Sequence, residues 1–173
     1  GIFIIVGKPF KIGDFVELDA GVAGTVTEIT LRHTVIRNAE NRRIIIPNST
    51  VNTSVITNSH IGESDTCAFV EVGVAYSENL DRCISVMRDE VEKHPYLEDH
   101  RTPAEKENGT DKVIIRVMAL GDSAITLRAF AWAKTPAEAS VMKHDLLKAI
   151  KERFDKENIE IPYPYYNHII KKG

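Results

Sequence analysis

A chain of 173 residues has room for one large domain or two small ones. Its 22 basic and 25 acidic side chains leave a formal charge of -3, which supplies no global field for gripping a polyphosphate, so nucleic acid is not an expected partner. The longest run resembling a bilayer span is Ile2 to Val6, cut short by Gly7 and Lys8 and far below the roughly 20 apolar residues a spanning helix needs; no signal-peptide pattern is visible either.

In chain order, the first patterned stretch is Pro9-Phe10-Lys11-Ile12-Gly13-Asp14, followed by short β-branched runs. These are Phe15 to Leu18, Thr25 to Leu31, Thr34 to Arg37 and Arg43 to Ile46, each bounded by Gly, Asp or Asn. Such spacing predicts a small, strongly bent antiparallel sheet. Ala39-Glu40-Asn41 reads as a hairpin tip, Gly21 as a turn with positive φ, and Gly24 as a bulge where the sheet curls. A unit of about 60 residues buries only about 60% of its unfolded surface, so this domain is expected to lean on neighbours.

The polar segment Ser59 to Asp65 ends the β pattern and marks the domain boundary. Beyond it the period changes. Thr66 to Tyr76 reads as a strand with Ala68, Val70, Val72 and Val74 on one face. Ser77 is then placed to cap a helix whose stripe is Leu80, Ile84, Met87 and Val91. His94 to Asp111 is a polar loop holding Pro95 and Pro103. Lys112 to Leu120 and Ala124 to Ala133 are strands joined by Gly121-Asp122-Ser123. Thr135-Pro136-Ala137-Glu138 supplies an N-cap, a first-turn proline and a capping-box glutamate for a helix striped by Met142, Leu146, Ile150 and Phe154. The order strand, helix, strand, strand, helix, strand is that of a ferredoxin-like α/β domain.

The candidate reactive groups have plain structural readings. Gly121-Asp122-Ser123 has the residues of a hydrolase nucleophile motif, but it lies between two strands, where Gly, Asp and Ser are selected by turn geometry. His33, His60, His94, His100, His144 and His168 show no metal-ligand spacing, and Cys67 and Cys83 sit in apolar patterns that predict buried, reduced thiols. No catalytic, metal or cofactor site is assigned. Gly21 to Gly24 lacks the lysine and following helix of a phosphate loop. Pro162 and Pro164 keep the terminal segment from serving as a central strand, while Tyr163, Tyr165 and Tyr166 make it apolar, which points to partners in other chains.

Taken together, the entry run Pro9 to Asp14, the run Gly21-Val22-Ala23-Gly24-Thr25-Val26, the run Ile45-Ile46-Pro47-Asn48-Ser49 closing near Asn58, the helix Asp145 to Phe154 and the tail Ile161-Pro162-Tyr163-Pro164 resemble the small-conductance mechanosensitive channel (MscS) family. The resemblance covers nearly the whole chain. It implies an α+β organisation: an Sm- or SH3-like β domain over residues 1–60, a ferredoxin-like α/β domain over 61–160, and an extended tail over 161–173 that joins an inter-subunit β-barrel. Pro9, Phe10, Gly13 and Asp14 match the family's entry motif, Gly21 and Gly24 its glycine-containing turn and strand, Pro47 and Asn48 its Pro-Asn turn, and Pro162, Tyr163 and Pro164 its tail. Asn158 stands where a Gly is common, Tyr165 replaces the usual Gln, Phe130 replaces an Arg two residues before Trp132, and the His94 to Asp111 loop is long.

The resemblance further implies the cytoplasmic vestibule of an inner-membrane channel that releases ions and small osmolytes on hypo-osmotic shock. The partners it implies are further copies of the chain in a homo-oligomer, a heptamer, and transmembrane helices N-terminal to the present sequence. A second reading treats the first domain as a free-standing Sm- or SH3-like module binding RNA or a peptide; the acidic net charge argues against it.

Overall fold

The computed structural model describes residues 9–19, 21–58 and 65–164. The chain divides into two compact units, Gly1–Ser64 and Asp65–Gly173.

The first unit contains β1 (Phe15–Leu18), β2 (Val22–Ile29), β3 (His33–Arg37), β4 (Arg43–Pro47), α1 (Asn48–Thr53) and β5 (Ile56–Asn58). Its strands form one antiparallel sheet in the order β4-β3-β2-β1-β5. Alternation delivers Val16, Leu18, Val26, Ile36 and Ile46 to the core, where Phe10 and Val51 join them. The β1–β2 turn is closed by the Gly21 N–H donating to the Leu18 carbonyl at 3.0 Å, with Gly21 at φ +72°. At the β3–β4 tip, the Asn38 side chain accepts from the Glu40 and Arg42 N–H groups, and Asn41 takes φ +64°.

Two local expectations are corrected. The bulge falls at Thr27, between the paired Val26 and Glu28, while Gly24 marks a close backbone approach: a Cβ there would lie 2.3 Å from the Arg37 carbonyl oxygen. Pro47 and Asn48, expected in a turn, instead start α1, with Pro47 as its N-cap residue. Its sequence Asn-Ser-Thr-Val-Asn-Thr has low helix propensity, so tertiary contacts at Val51 and Asn48 hold this short helix in place.

The second unit runs β6 (Thr66–Val74), α2 (Leu80–Glu92), α3 (Pro103–Glu107), β7 (Ile114–Leu120), β8 (Ile125–Ala133) and α4 (Pro136–Lys156). The antiparallel sheet has the order β6-β8-β7, with β6 and β8 in register from Thr66↔Ala133 to Val74↔Ile125. One sheet face carries Ala68, Val70, Val74, Leu127, Ala129 and Ala131. These share a core with Cys83, Met87 and Val91 of α2 and with Met142, Leu146, Ile150 and Phe154 of α4. Burying each of the large side chains contributes about 1.5–3 kcal/mol.

Helix α2 is capped by Asn79, which accepts from the Arg82 N–H at 3.0 Å, and not by Ser77. Ser77 lies inside a preceding turn, closed by the Glu78 N–H donating to the Ala75 carbonyl at 3.1 Å. Thr135 caps α4 by accepting from the Glu138 N–H. The full reciprocal capping box forms at Thr102 and Glu105, which gives the stretch read as a loop its own helix α3.

The end of α4 decides where the core stops. Asn158 adopts φ +54°, the Asn158 N–H donates to the Asp155 carbonyl at 3.2 Å and the Ile159 N–H to the Phe154 carbonyl at 2.8 Å. This is a Schellman closure, and its companion apolar contact pairs Ile159 with Phe154, both buried. Glu160 then accepts from the Ala75 N–H at 3.0 Å. Residues 161–164 form no strand, so the last strand of the expected order is not present up to Pro164; Tyr165 and the rest of the tail lie outside the described residues.

Candidate functional site

Of the motif residues of the first unit, Pro9, Phe10, Gly13 and Asp14 lie in the strap that leads into β1, while Gly21, Gly24, Pro47 and Asn48 lie elsewhere along the sheet. Phe10 is sunk in the core, while the two residues that follow it are exposed. Asp14 is buried, and its carboxylate accepts from the Lys11 N–H at 2.9 Å and from Asn58 Nδ2 at 2.8 Å. Backbone bonds fix the same strap to β2: the Gly13 N–H donates to the Val26 carbonyl at 2.8 Å and the Val26 N–H to the Asp14 carbonyl at 2.9 Å. Gly13 stands at φ +97°, a conformation that costs glycine little and side-chain residues much.

Asn48 is a second lock. Its side-chain oxygen accepts from Thr34 Oγ1 at 3.0 Å, its Nδ2 donates to the Thr30 carbonyl at 2.9 Å, and its own N–H donates to the Arg32 carbonyl at 2.9 Å. One buried amide therefore joins β3, the β2–β3 turn and the start of α1, all with partners satisfied in a place where an unpaired group would be costly. Sequence reading brought Asp14 and Asn48 forward as motif positions. It missed the part of Asn58, because a single Asn after a β run reads only as a terminator.

In the second unit, Arg128 lies on the sheet face opposite the core, 4.7 Å from the Phe69 ring centroid and 5.9 Å from that of Phe130, and its Nε donates to Glu71 at 2.6 Å. The His100 ring stacks on Trp132 at 3.8 Å with planes 9° apart, and its Nε2 is 3.7 Å from Asp65. Hydrogen bonds from Arg101 hold the Asp99 carboxyl well below the ordinary carboxylate range. Burial pushes the Cys67 thiol up to about 11 and also raises that of Cys83. Both thiols are free.

Gly121-Asp122-Ser123 is a hairpin turn, with the Gly121 N–H donating to the Ala124 carbonyl at 2.8 Å and the Tyr76 hydroxyl to the Gly121 carbonyl at 2.6 Å. Among the described residues no group of three His, Cys, Asp or Glu side chains is placed to hold a metal ion, and no helix is long and apolar enough to cross a membrane. Tyr163 is 85% exposed. Among the described residues, β4 and β7 are outermost strands of their sheets, and they carry exposed apolar side chains, Ile45 on β4, and Val117, Met118 and Leu120 on β7.

Comparison with known proteins gives matches in both units. Residues 1–61 match the family profile "Mechanosensitive ion channel, beta-domain", and residues 69–161 match "Mechanosensitive ion channel MscS, C-terminal". An uncharacterized MscS family protein of Archaeoglobus fulgidus is 36% identical over 95% of this chain and 53% of its own length. A small-conductance mechanosensitive channel of Edwardsiella ictaluri is 29% identical over 95% of this chain and 53% of its own. The crystal structure of Helicobacter pylori MscS in a closed state superimposes with a TM-score of 0.83 at 24% identity, covering 99% of this chain and 63% of that one, which establishes the shared fold. The chain spans about half the length of these curated relatives.

Proposed function

Because the chain belongs to the MscS family of mechanosensitive ion channels, whose members are channels and not enzymes, we propose that it forms the vestibule region on the cytoplasmic side of an inner-membrane channel. The pore is supplied by transmembrane helices in the longer protein, and bilayer tension opens it to release ions and small osmolytes. The observation that carries this reading is that similarity to the family runs through both units at 95% coverage.

In this role the chain does mechanical and steric work. Copies surround the exit path, and the width and charge of the openings between them set which solutes pass, by the ordinary rules of pore diameter and wall charge. A head-to-tail ring, sevenfold in our reading, suits a subunit whose first sheet has, among the described residues, two different outermost strands, β4 and β5. The tail containing Pro162, Tyr163, Pro164 and Tyr165 gathers on the ring axis. Closing such tails into a barrel removes the edges that a single extended segment leaves unpaired.

The test is survival. The full-length protein is expressed in cells stripped of their own tension-gated channels, and viability is scored after abrupt dilution into low-osmolarity medium. Rescue is expected; cells that lyse as often as the empty-vector control, with the protein present in the membrane, contradict the reading.

A further inference from the structure

Pro9, at the head of the strap that leads into β1, and Asn58, at the end of β5, are joined through the Asn58 side chain. Asn58 Nδ2 donates to the Pro9 carbonyl at 3.2 Å and to the Asp14 carboxylate at 2.8 Å. The two ends are 49 residues apart in sequence, with all of β1 to β4 and α1 between them. A primary amide suits this position because both of its N–H groups have an acceptor. Alanine supplies neither bond, and aspartate adds a charge facing Asp14.

The surroundings make this contact a junction and not another surface hydrogen bond. The strap side is rigid, with Phe10 buried, Asp14 buried, and Gly13 and Asp14 bonded to β2. On the other side β5 is three residues long and, among the described residues, pairs with β1 through Val16↔Asn58, Glu17↔Thr57 and Leu18↔Ile56. A displacement arriving at Pro9 thus has a direct route to the exit at Asn58, as well as the long route through the ladders of the sheet. Hydrogen bonds to a carboxylate are among the stronger ones, so the 2.8 Å bond to Asp14 is the firmer of the two links and the 3.2 Å bond to the Pro9 carbonyl the softer.

We propose that Asn58 is a coupling residue of gating: through Pro9 and Asp14 it transmits movement of the segment ahead of the first unit to the connection leading into the second. The proposal rests on the channel reading given above, and its test separates the two.

The full-length protein is compared with Asn58→Ala, Asn58→Asp and the swapped pair Asp14→Asn/Asn58→Asp, which restores a hydrogen bond between positions 14 and 58 with donor and acceptor reversed. Amide hydrogen exchange in detergent reads the strap directly. Either single variant should raise exchange at Lys11 and Asp14 by about tenfold to a hundredfold relative to β2 and β3, and the swapped pair should recover part of that protection. Patch recordings should show a displaced opening tension at unchanged unitary conductance. Unchanged exchange at Lys11 overturns the proposal, as does a loosened strap with an unaltered opening tension. A uniform rise across β2 and β3 also overturns it, since that is the signature of general destabilisation. A wild-type protein that passes no tension-gated current overturns the channel reading, and the gating role with it, while exchange at Lys11 still decides whether the clamp exists.

Discussion

Gly24→Ala offers a test of the fold whose size follows from the geometry. The new Cβ would lie 2.3 Å from the Arg37 carbonyl oxygen, 2.8 Å from its carbon and 2.9 Å from Ile36 Cγ2. Two of those atoms are backbone, and Arg37 is held between Thr25 on β2 and Arg43 on β4, so neither strand can step aside alone. Relief requires β2 and β3 to separate by about 1 Å, which costs about 1–3 kcal/mol of overpacking plus roughly 1 kcal/mol for a weakened ladder bond. A unit of about 60 residues has roughly 3–9 kcal/mol in total. A loss of about 3 kcal/mol should lower its Tm by about 12–24 °C. The sole tryptophan, Trp132, and all five tyrosines lie beyond residue 64, so fluorescence follows the second unit, while amide NMR follows the first. Early loss of the β2 and β3 amides is expected with an unshifted Trp132 transition. Gly109→Ala serves as a control, since it has positive φ but open space around it, and should cost only about 1 kcal/mol. A Gly24→Ala protein whose first unit melts within about 4 °C of the original would refute the close-approach argument.

Asn158→Val should destabilise the second unit by about 1–2 kcal/mol, because a β-branched residue is forced to φ +54°, whereas Asn158→Gly should be neutral; Trp132 fluorescence in denaturant reads both. With its thiol raised to about 11, Cys67 should react slowly with disulfide reagents at pH 8 and its rate should keep climbing through pH 10, whereas a plateau near pH 9 speaks against the burial argument. Truncation after Glu160 should leave both units folded, because Ile159 is the last core side chain among the described residues, but should make the assembled ring dissociate at higher dilution. Circular dichroism and light scattering separate the two effects, and a ring of undiminished stability contradicts the barrel role of the tail.

Regular periodicity made most of the architecture readable. The period-two runs of β1 to β4 and the three- and four-residue stripes of α2 and α4 appear in the structure at nearly the residues expected, because burying one face is what those patterns encode. Pieces whose stability comes from distant partners were not readable. Helix α1 has weak local propensity and exists through Val51 and Asn48, and β5 is three residues sustained by pairing with β1. Ser77 and Asn79 are both good caps, and the choice between them fell to a turn that uses Ala75 and Glu78. Gly24 was legible as special, but its reason, close approach to Arg37, depends on pairing with a neighbouring strand and was misread as a bulge. Asp14 and Asn48 were legible as motif positions, but their partners were not, since the bonds from Asn58 to Asp14 and from Asn48 to Thr30 and Thr34 cross long sequence separations with no local pattern.

The most direct measurement is a patch recording from liposomes containing only the purified full-length protein. Suction should evoke discrete current steps that appear above a threshold tension and vanish on release, with identical steps on repeated application. A protein that inserts in the bilayer and stays silent up to the tension at which the membrane ruptures would contradict the assignment of this chain to a tension-gated channel.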